Sequence, residues 1–319
     1  MLMTLPLAFF VSLFACMALI RFGGMLDRPN ARSLHATPVP RTGGIAIAAG
    51  MLPAMLPVFI AGNPEVRLLI AGWLLVFGIS LLDDVRDLPA WLRLAVHAAA
   101  GLLVVLAPGY PDDLAAILAG LFWIVWGTNL FNFMDGMDGL AGSMALIGGA
   151  ALGLALHLAG DWQLALPVAA AAAAVAGFLP FNLPAARIFM GDAGSAPLGF
   201  LFAATAVSGT GGGFLPAWLP MVIFLPFIAD ATFTLLRRAL AREPFWRAHR
   251  THAYQRAVLS GWPVRRVLAV EAAAMLLCGS AVLLPPTNDA TGWTLVLGAG
   301  VMAVPIYCAI MRVHRGKGN

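Results

Sequence analysis

Long apolar runs separated by short polar interruptions make up almost the whole chain. Division at these interruptions predicts eleven helices, each of roughly 17 to 25 residues, the length that crosses the hydrocarbon core of a bilayer. The predicted spans are 3–22, 43–62, 66–82, 92–108, 114–131, 139–159, 163–181, 194–210, 214–236, 266–285 and 290–311. The pattern therefore predicts an all-α, polytopic integral membrane protein.

The composition agrees with this interpretation. Of 319 residues, 61% are hydrophobic and only 11% are charged, whereas a soluble domain carries about 25% charged residues. The stretch from Met1 to Ile20 has no basic start and no small-residue cleavage site, so we expect it to be retained as the first helix. The three cysteines fall in apolar spans without metal-binding spacing, and no disulfide is expected.

Basic residues indicate how the helices are oriented. All 19 Lys and Arg residues except Arg67 lie in the loops after helices 1, 3, 5, 7 and 9, at the helix ends next to these loops, or in the C-terminal tail. Because cytoplasmic loops carry the excess of basic residues, we expect a periplasmic N-terminus and a cytoplasmic C-terminus.

The polar clusters all fall on that cytoplasmic side. They occupy the loops 23–42, 83–91, 129–139, 182–195 and 237–266. The loops on the opposite side are short and carry no evident chemistry. We therefore expect one domain, residues 1–319, with a single site assembled from these five loops.

The segment from Asn129 to Leu140 has the strongest pattern. Polar residues recur there at every third position, namely Asn129, Asn132, Asp135 and Asp138. This spacing places side chains on one side of a helix end or tight turn. Gly136 and Gly139 follow the two aspartates and predict a backbone that leaves regular helix and can approach a ligand closely. Carboxylates beside the hydrocarbon are functional by default.

Two further clusters carry carboxylates. Asp83 and Asp84 form either a solvated helix end or a pair that binds Mg²⁺ or acts as a base, because hard cations prefer carboxylate oxygen and adjacent carboxylates shift each other's pKa. Asp192, between glycines at the start of helix 8, is either the N-cap or part of a site in which exposed backbone N–H groups hold a phosphate. Phe189 offers an aromatic face on which a base can stack.

The last cytoplasmic loop is strongly cationic. His249, Arg250 and His252 are candidates for contacting a diphosphate. The alternatives are a basic anchor that meets anionic headgroups and a zinc site that is short of ligands. Asp230 lies within a span, where a carboxylate is by default a functional hypothesis. The favoured structural alternative is that it pairs near the membrane interface with Arg237, about two helical turns further on.

The chain resembles the polyprenyl-phosphate N-acetylhexosamine-1-phosphate transferases, the MraY/WecA type of glycosyltransferase family 4. Four motifs carry the resemblance, in order along the chain: Asp83-Asp84, Asn129-x-x-Asn132-x-x-Asp135-Gly-x-Asp138-Gly-Leu, Phe189-Met-Gly-Asp192-x-Gly-Ser and His249-Arg-Thr-His252. The first and last loops are similar to the WecA/WbpL-like subgroup that initiates O-antigen synthesis, rather than to enzymes acting on UDP-MurNAc-pentapeptide in peptidoglycan synthesis.

The resemblance implies transfer of an N-acetylhexosamine-1-phosphate from a UDP-sugar to undecaprenyl phosphate, with release of UMP. It also implies a Mg²⁺ ion, replaceable by Mn²⁺, held by Asp192 and Asn132. Asp83 would bind or deprotonate the lipid phosphate, and Asp84 would support the metal site. The resemblance assigns the UDP-sugar to Asp135, Asp138, Asn182 and Phe189, and the diphosphate to His249, Arg250 and His252. Direct attack by the lipid is favoured, and a route through phosphorylated Asp83 is left open.

A long prenyl chain needs an apolar groove that opens sideways to the bilayer. Pro216, Pro220 and Pro226 are expected to bend helix 9 and create this groove. The resemblance implies undecaprenyl phosphate, a UDP-N-acetylhexosamine and membrane lipids as partners, permits a homodimer, and implies no nucleic acid. It implies the bacterial inner membrane, with the site facing the cytoplasm. The alternative from another class is a proton-coupled transporter, but transporters hold their charges near the midplane.

Overall fold

The structure is a computed structural model that describes residues 3–23, 25–27, 38–243, 249–283 and 289–300. These residues are almost entirely helical, as predicted. The helices are α1 (Thr4–Phe22), α2 (Gly43–Ala61), α3 (Pro64–Arg86), α4 (Ala90–Val105), α5 (Leu114–Phe133), α6 (Leu140–Leu158), α7 (Trp162–Asn182), α8 (Asp192–Gly211), α9 (Trp218–Ile223), α10 (Leu225–Leu240), α11 (Ala253–Leu259) and α12 (Val264–Gly279), followed by a 3₁₀ turn at Ser280–Leu283. Residues 289–300 are also helical.

The loop before α2 contains the only strands in the described ranges. β1 (Leu26–Asp27) and β2 (Val39–Pro40) pair antiparallel. The rest of the predicted motif in this loop, residues 28–37, lies outside the described residues, as does the end of the eleventh predicted span.

Within the described ranges, seven helical segments are long and apolar enough to cross a membrane. They are α1, α2, α3, α5, α6, α7 and the segment Val264–Leu283, while α4 is apolar but shorter. The fold is that of a polytopic membrane protein. The count of eleven spans and the orientation of the termini stay predictions.

Small residues allow the helices to pack closely around the site. α7 contacts α1, α2 and α6 through alanines that include Ala170, Ala171 and Ala174, all fully buried. At the start of α2, a Cβ added to Gly44 would lie 2.3 Å from the backbone nitrogen of Gly194. Glycine is therefore required there for α2 to approach the first turn of α8.

The ninth predicted helix is not continuous. The chain forms α9 and α10, which meet at Phe224, and Pro226 stands in the first turn of α10. Proline has no backbone N–H and its ring clashes with the preceding turn, so a helix breaks at this position. The predicted bend is confirmed, whereas the prediction of one helix over 214–236 is wrong.

Candidate active site

Three helix ends bring the predicted polar residues together. α3 and α5 end where α8 begins, and α8 packs against both. Asn132 Nδ2 donates to Asp192 Oδ1 at 2.9 Å and lies 3.1 Å from Ser195 Oγ. The Asn132 and Asp192 pair predicted from sequence is therefore adjacent in the fold, across 60 residues of sequence.

Arg93 bridges two carboxylates at the centre of this cluster. Its Nη1 lies 2.5 Å from Asp83 Oδ2 and 3.0 Å from Asp192 Oδ2. The other Asp83 oxygen accepts from the backbone N–H of Leu88 at 2.6 Å. Sequence reasoning did not assign Arg93. Its position in the first turn of α4, directly after the loop that carries Asp83, is the signal that could have found it.

Asp84 caps the N-terminus of α8. Its two carboxylate oxygens accept from the backbone N–H groups of Asp192 at 3.2 Å and Ala193 at 2.9 Å, and Arg41 donates to its backbone carbonyl oxygen. The N-cap residue is Gly191, with φ +70°. The alternative that Asp192 is its own N-cap is thus wrong. The expectation that these N–H groups bind a phosphate is also wrong, because Asp84 already occupies the first two.

Asp138 and Asn182 join two loops. Asp138 Oδ2 accepts from the backbone N–H of Ala186 at 2.9 Å. Asn182 Oδ1 accepts from the Gly139 N–H and its Nδ2 donates to the Ile188 carbonyl, both at 3.0 Å. Since Asn182 is 4% exposed, its present contacts favour a positioning role. Direct contact of either residue with a UDP-sugar stays a prediction.

Asp135 adds a further carboxyl group to the site, where burial and the neighbouring carboxylates disfavour its ionisation. It is half-buried in the loop after α5, and burial together with the charges of Asp192, Asp84 and Asp138 raises its pKa to about 8. A cation placed among these carboxylates would relieve that repulsion. The set suits Mg²⁺, which prefers oxygen ligands and uses one or two carboxylates together with substrate phosphates.

No group of three or more His, Cys, Asp or Glu side chains in the described ranges is placed to hold a metal ion. A Mg²⁺ ion at Asp192 would therefore need further oxygens from the substrate or from water. Phe189, the predicted uracil platform, is half-buried two residues before Gly191, the N-cap of α8. Its backbone N–H donates to Pro40 at 2.7 Å and its carbonyl accepts from Gly43 at 2.9 Å.

The cationic loop is anchored by Asp230. His252 is 3% exposed, and its Nδ1 lies 3.3 Å from Asp230 Oδ1. The expectation that Asp230 pairs with Arg237 is wrong, because Arg237 contacts Glu243 instead. Burial, followed by the charges of His252, Arg238 and Arg237, lowers the pKa of His249 to about 4. His249 is thus neutral near pH 7, while Arg250 is exposed.

An apolar cavity of about 180 Å³ lies between α5, α8 and the break between α9 and α10. Its walls include Trp123, Trp126, Ala206, Phe224 and Trp293. It extends along α5 as far as Phe131, the residue next to Asn132. The cavity therefore runs from the helix break along the helix that carries Asn132.

Comparison with known proteins identifies the family. The sequence model of glycosyl transferase family 4 matches residues 66–210. The decaprenyl-phosphate N-acetylglucosaminephosphotransferase of Mycobacterium tuberculosis is 30% identical over 293 residues, covering 77% of this chain and 72% of the relative. The chain belongs to glycosyl transferase family 4.

Two further relatives in this family share one name, undecaprenyl-phosphate alpha-N-acetylglucosaminyl 1-phosphate transferase. The protein of Yersinia pestis is 31% identical, covering 79% of this chain and 75% of the relative. That of Escherichia coli is 29% identical, covering 86% of this chain and 80% of the relative. Membership of the family agrees with the resemblance found in the motifs, while the predicted O-antigen subgroup stays a prediction.

Proposed function

We propose that this protein transfers an N-acetylhexosamine-1-phosphate from a UDP-sugar to undecaprenyl phosphate and releases UMP. Transfer of a sugar phosphate to a polyprenyl phosphate is the activity that the names of its relatives describe. The observation that carries the proposal is the convergence of Asp83, Asn132 and Asp192 on Arg93 at one end of three helices. The protein is a phosphotransferase on this basis.

In the proposed reaction, a phosphate oxygen of the lipid attacks the sugar-linked phosphorus of the UDP-sugar. The new P–O bond forms as the bond to the UMP oxygen breaks, and UMP leaves with that electron pair. The product is undecaprenyl diphosphate linked to the sugar. Two anions meet in this step, so positioning and charge neutralisation are the main contributions that the protein can make.

Arg93 and Asp83 are placed to receive the lipid phosphate. Arg93 is about one-third exposed and carries donors that can face a phosphate. Asp83 would accept a proton if the lipid arrives as its monoanion. Nucleophilic attack by Asp83 is the two-step alternative, but its two oxygens are held by Arg93 and by the Leu88 N–H, which favours the single displacement.

Asp192 and Asn132 are the residues that would hold Mg²⁺, with Asp135 beside them. The metal would supply charge neutralisation at the diphosphate. Asp84 keeps Asp192 at this place by capping α8. Asp138, Asn182 and Phe189 would order the pocket for uridine and sugar, with the Phe189 ring available for stacking on uracil.

The cavity beside Phe224 is the proposed groove for the prenyl chain. Its apolar walls run along α5 toward Asn132, so a phosphate at the polar cluster can keep its chain in the membrane. The basic residues of the loops around the cluster support a cytoplasmic site in a bacterial inner membrane. N-acetylglucosamine is the first sugar to test, because it appears in the names of the relatives.

The test is release of UMP by purified protein supplied with undecaprenyl phosphate, Mg²⁺ and a panel of UDP-sugars. The panel contains UDP-GlcNAc and its 6-deoxy analogues, which the O-antigen hypothesis predicts as substrates. We expect UMP with at least one sugar, and none after addition of EDTA or with Asp192→Asn. Asp87→Asn is the matched control, because Asp87 is exposed at the end of the helix that carries Asp83 and Asp84. A folded native protein that releases no UMP from any sugar would contradict the proposal.

A further inference from the structure

Asp230 is the buried carboxylate that the reaction above leaves without a role. It lies in α10 and is 7% exposed. Thr234 Oγ1 donates to its Oδ1 at 3.0 Å, the backbone N–H of Ala253 donates to the same oxygen at 2.9 Å, and that of Tyr254 donates to Oδ2 at 3.2 Å. Asp230 therefore ties α10 to the start of α11.

The same carboxylate also meets an imidazole. His252 Nδ1 lies 3.3 Å from Asp230 Oδ1, and both side chains are buried. An ionised carboxylate only accepts hydrogen bonds, so this contact favours the tautomer with the proton on Nδ1. Asp230 thus selects the tautomer of His252, and Nε2 is the ring nitrogen that remains available to interact with another group.

The position of α11 places Tyr254, two residues after this imidazole, against the active-site loop. Tyr254 Oη is 3.4 Å from the Phe133 carbonyl oxygen, and a Cβ added to Gly136 would lie 2.3 Å from Tyr254 Oη. The helix that begins after His252 therefore packs directly on the loop that carries Asp135. The centroid of the His252 ring lies 5.0 Å from that of His249 and 5.8 Å from that of Tyr254.

We propose that Asp230 is a positioning residue for the transfer reaction: it fixes His252 with Nδ1–H toward itself, so that Nε2 is the nitrogen that takes up a proton from water and donates a hydrogen bond to the diphosphate of the substrate. This inference rests on the proposed function. It differs from a purely structural cap because it requires Asp230 to act through His252, and the two roles predict different results when both residues are changed.

A double-mutant cycle separates these roles. Loss of one group that stabilises developing charge lowers turnover by about 100-fold, so we expect about that loss for His252→Gln and roughly 30-fold for Asp230→Asn. If Asp230 acts through His252, the double variant should resemble His252→Gln alone. We also expect kcat to fall while the KM for the UDP-sugar changes by less than about threefold. Multiplied losses of about 3000-fold, or an effect confined to KM, would overturn the proposal.

The fold needs its own control, because Asp230→Asn weakens the cap of α11. Thr234→Ala removes a different donor to Asp230 and leaves the contact with His252. We expect Thr234→Ala to lower the apparent unfolding temperature in detergent without the loss of kcat. Equal losses of kcat in Thr234→Ala and Asp230→Asn would show that Asp230 only supports α11.

A second measurement judges the positioning without any turnover. In protein labelled with ¹⁵N-histidine, His252 is one of six histidines, and its signals are identified by their disappearance in His252→Gln. We expect the Nδ1–H tautomer in the native chain and a change of tautomer in Asp230→Asn. An unchanged tautomer would overturn this inference directly, whereas a native chain with the expected tautomer and no UMP release would overturn the proposed function and leave only the pairing of Asp230 with His252.

Discussion

The substitution Asp84→Asn separates a structural from a chemical role for the second aspartate of the Asp83-Asp84 pair. Asp84 is 4% exposed and accepts the first two N–H groups of α8. An amide keeps one acceptor oxygen but turns an NH₂ group toward the other N–H. The change loses a charge-assisted hydrogen bond of about 1.5–3 kcal/mol and a favourable interaction with the helix dipole of about 0.5–1 kcal/mol.

Because removal of a buried charge offsets part of these losses, we expect Asp84→Asn to destabilise the protein by about 1–3 kcal/mol, and to lower turnover because Asp192 begins the helix that is no longer capped. Unfolding is followed in mild detergent by denaturant titration, beside UMP release at saturating substrates. Asp87→Asn is the control, since Asp87 is exposed at the end of the same helix with φ +48°, a conformation that asparagine tolerates. If Asp84→Asn is as stable as Asp87→Asn but inactive, this reasoning is refuted and Asp84 takes part directly in the reaction.

Three further predictions concern the site, the cationic loop and the groove. Arg93→Gln leaves the Asp83 and Asp192 carboxylates without their shared cationic partner. Added Mg²⁺ should therefore raise the unfolding temperature of this variant more than that of the native chain. An equal rise in both would contradict the proposed bridging role of Arg93. His249, with its pKa lowered to about 4, stays neutral in the folded protein while the unfolded chain binds a proton below about pH 6.5. The free energy of unfolding should therefore fall as the pH falls from about 6.5 to about 4. His249→Gln should reduce that loss by about 1 kcal/mol, since solvent screens the half-buried ring. Unfolding at pH 7 and pH 4.5 measures the loss, and an equal loss in the variant and the native chain would contradict this prediction. Ala206→Phe fills the cavity and should raise the KM for undecaprenyl phosphate about tenfold with little change for the UDP-sugar; equal changes for both substrates would exclude this cavity as the lipid groove.

The sequence alone determined the membrane-protein class, the positions of the first eight helices and the family. These properties are local: an apolar run of sufficient length must be helical in a bilayer because every backbone group has to be hydrogen-bonded within the segment. The prolines of the ninth span also predicted its bend, since the missing N–H and the ring clash act within one turn.

Only the tertiary structure decided which polar groups meet. Arg93 reaches Asp192 across 99 residues of sequence, and Asp84 caps α8 across 108 and 109 residues. Such contacts depend on how α3, α4 and α8 are rotated and how closely they approach, and periodicity along one helix carries no information on its neighbours' rotation. The same reason explains Asp230, whose expected partner Arg237 lies on its own helix but whose observed partners include the backbone N–H groups of Ala253 and Tyr254 on α11.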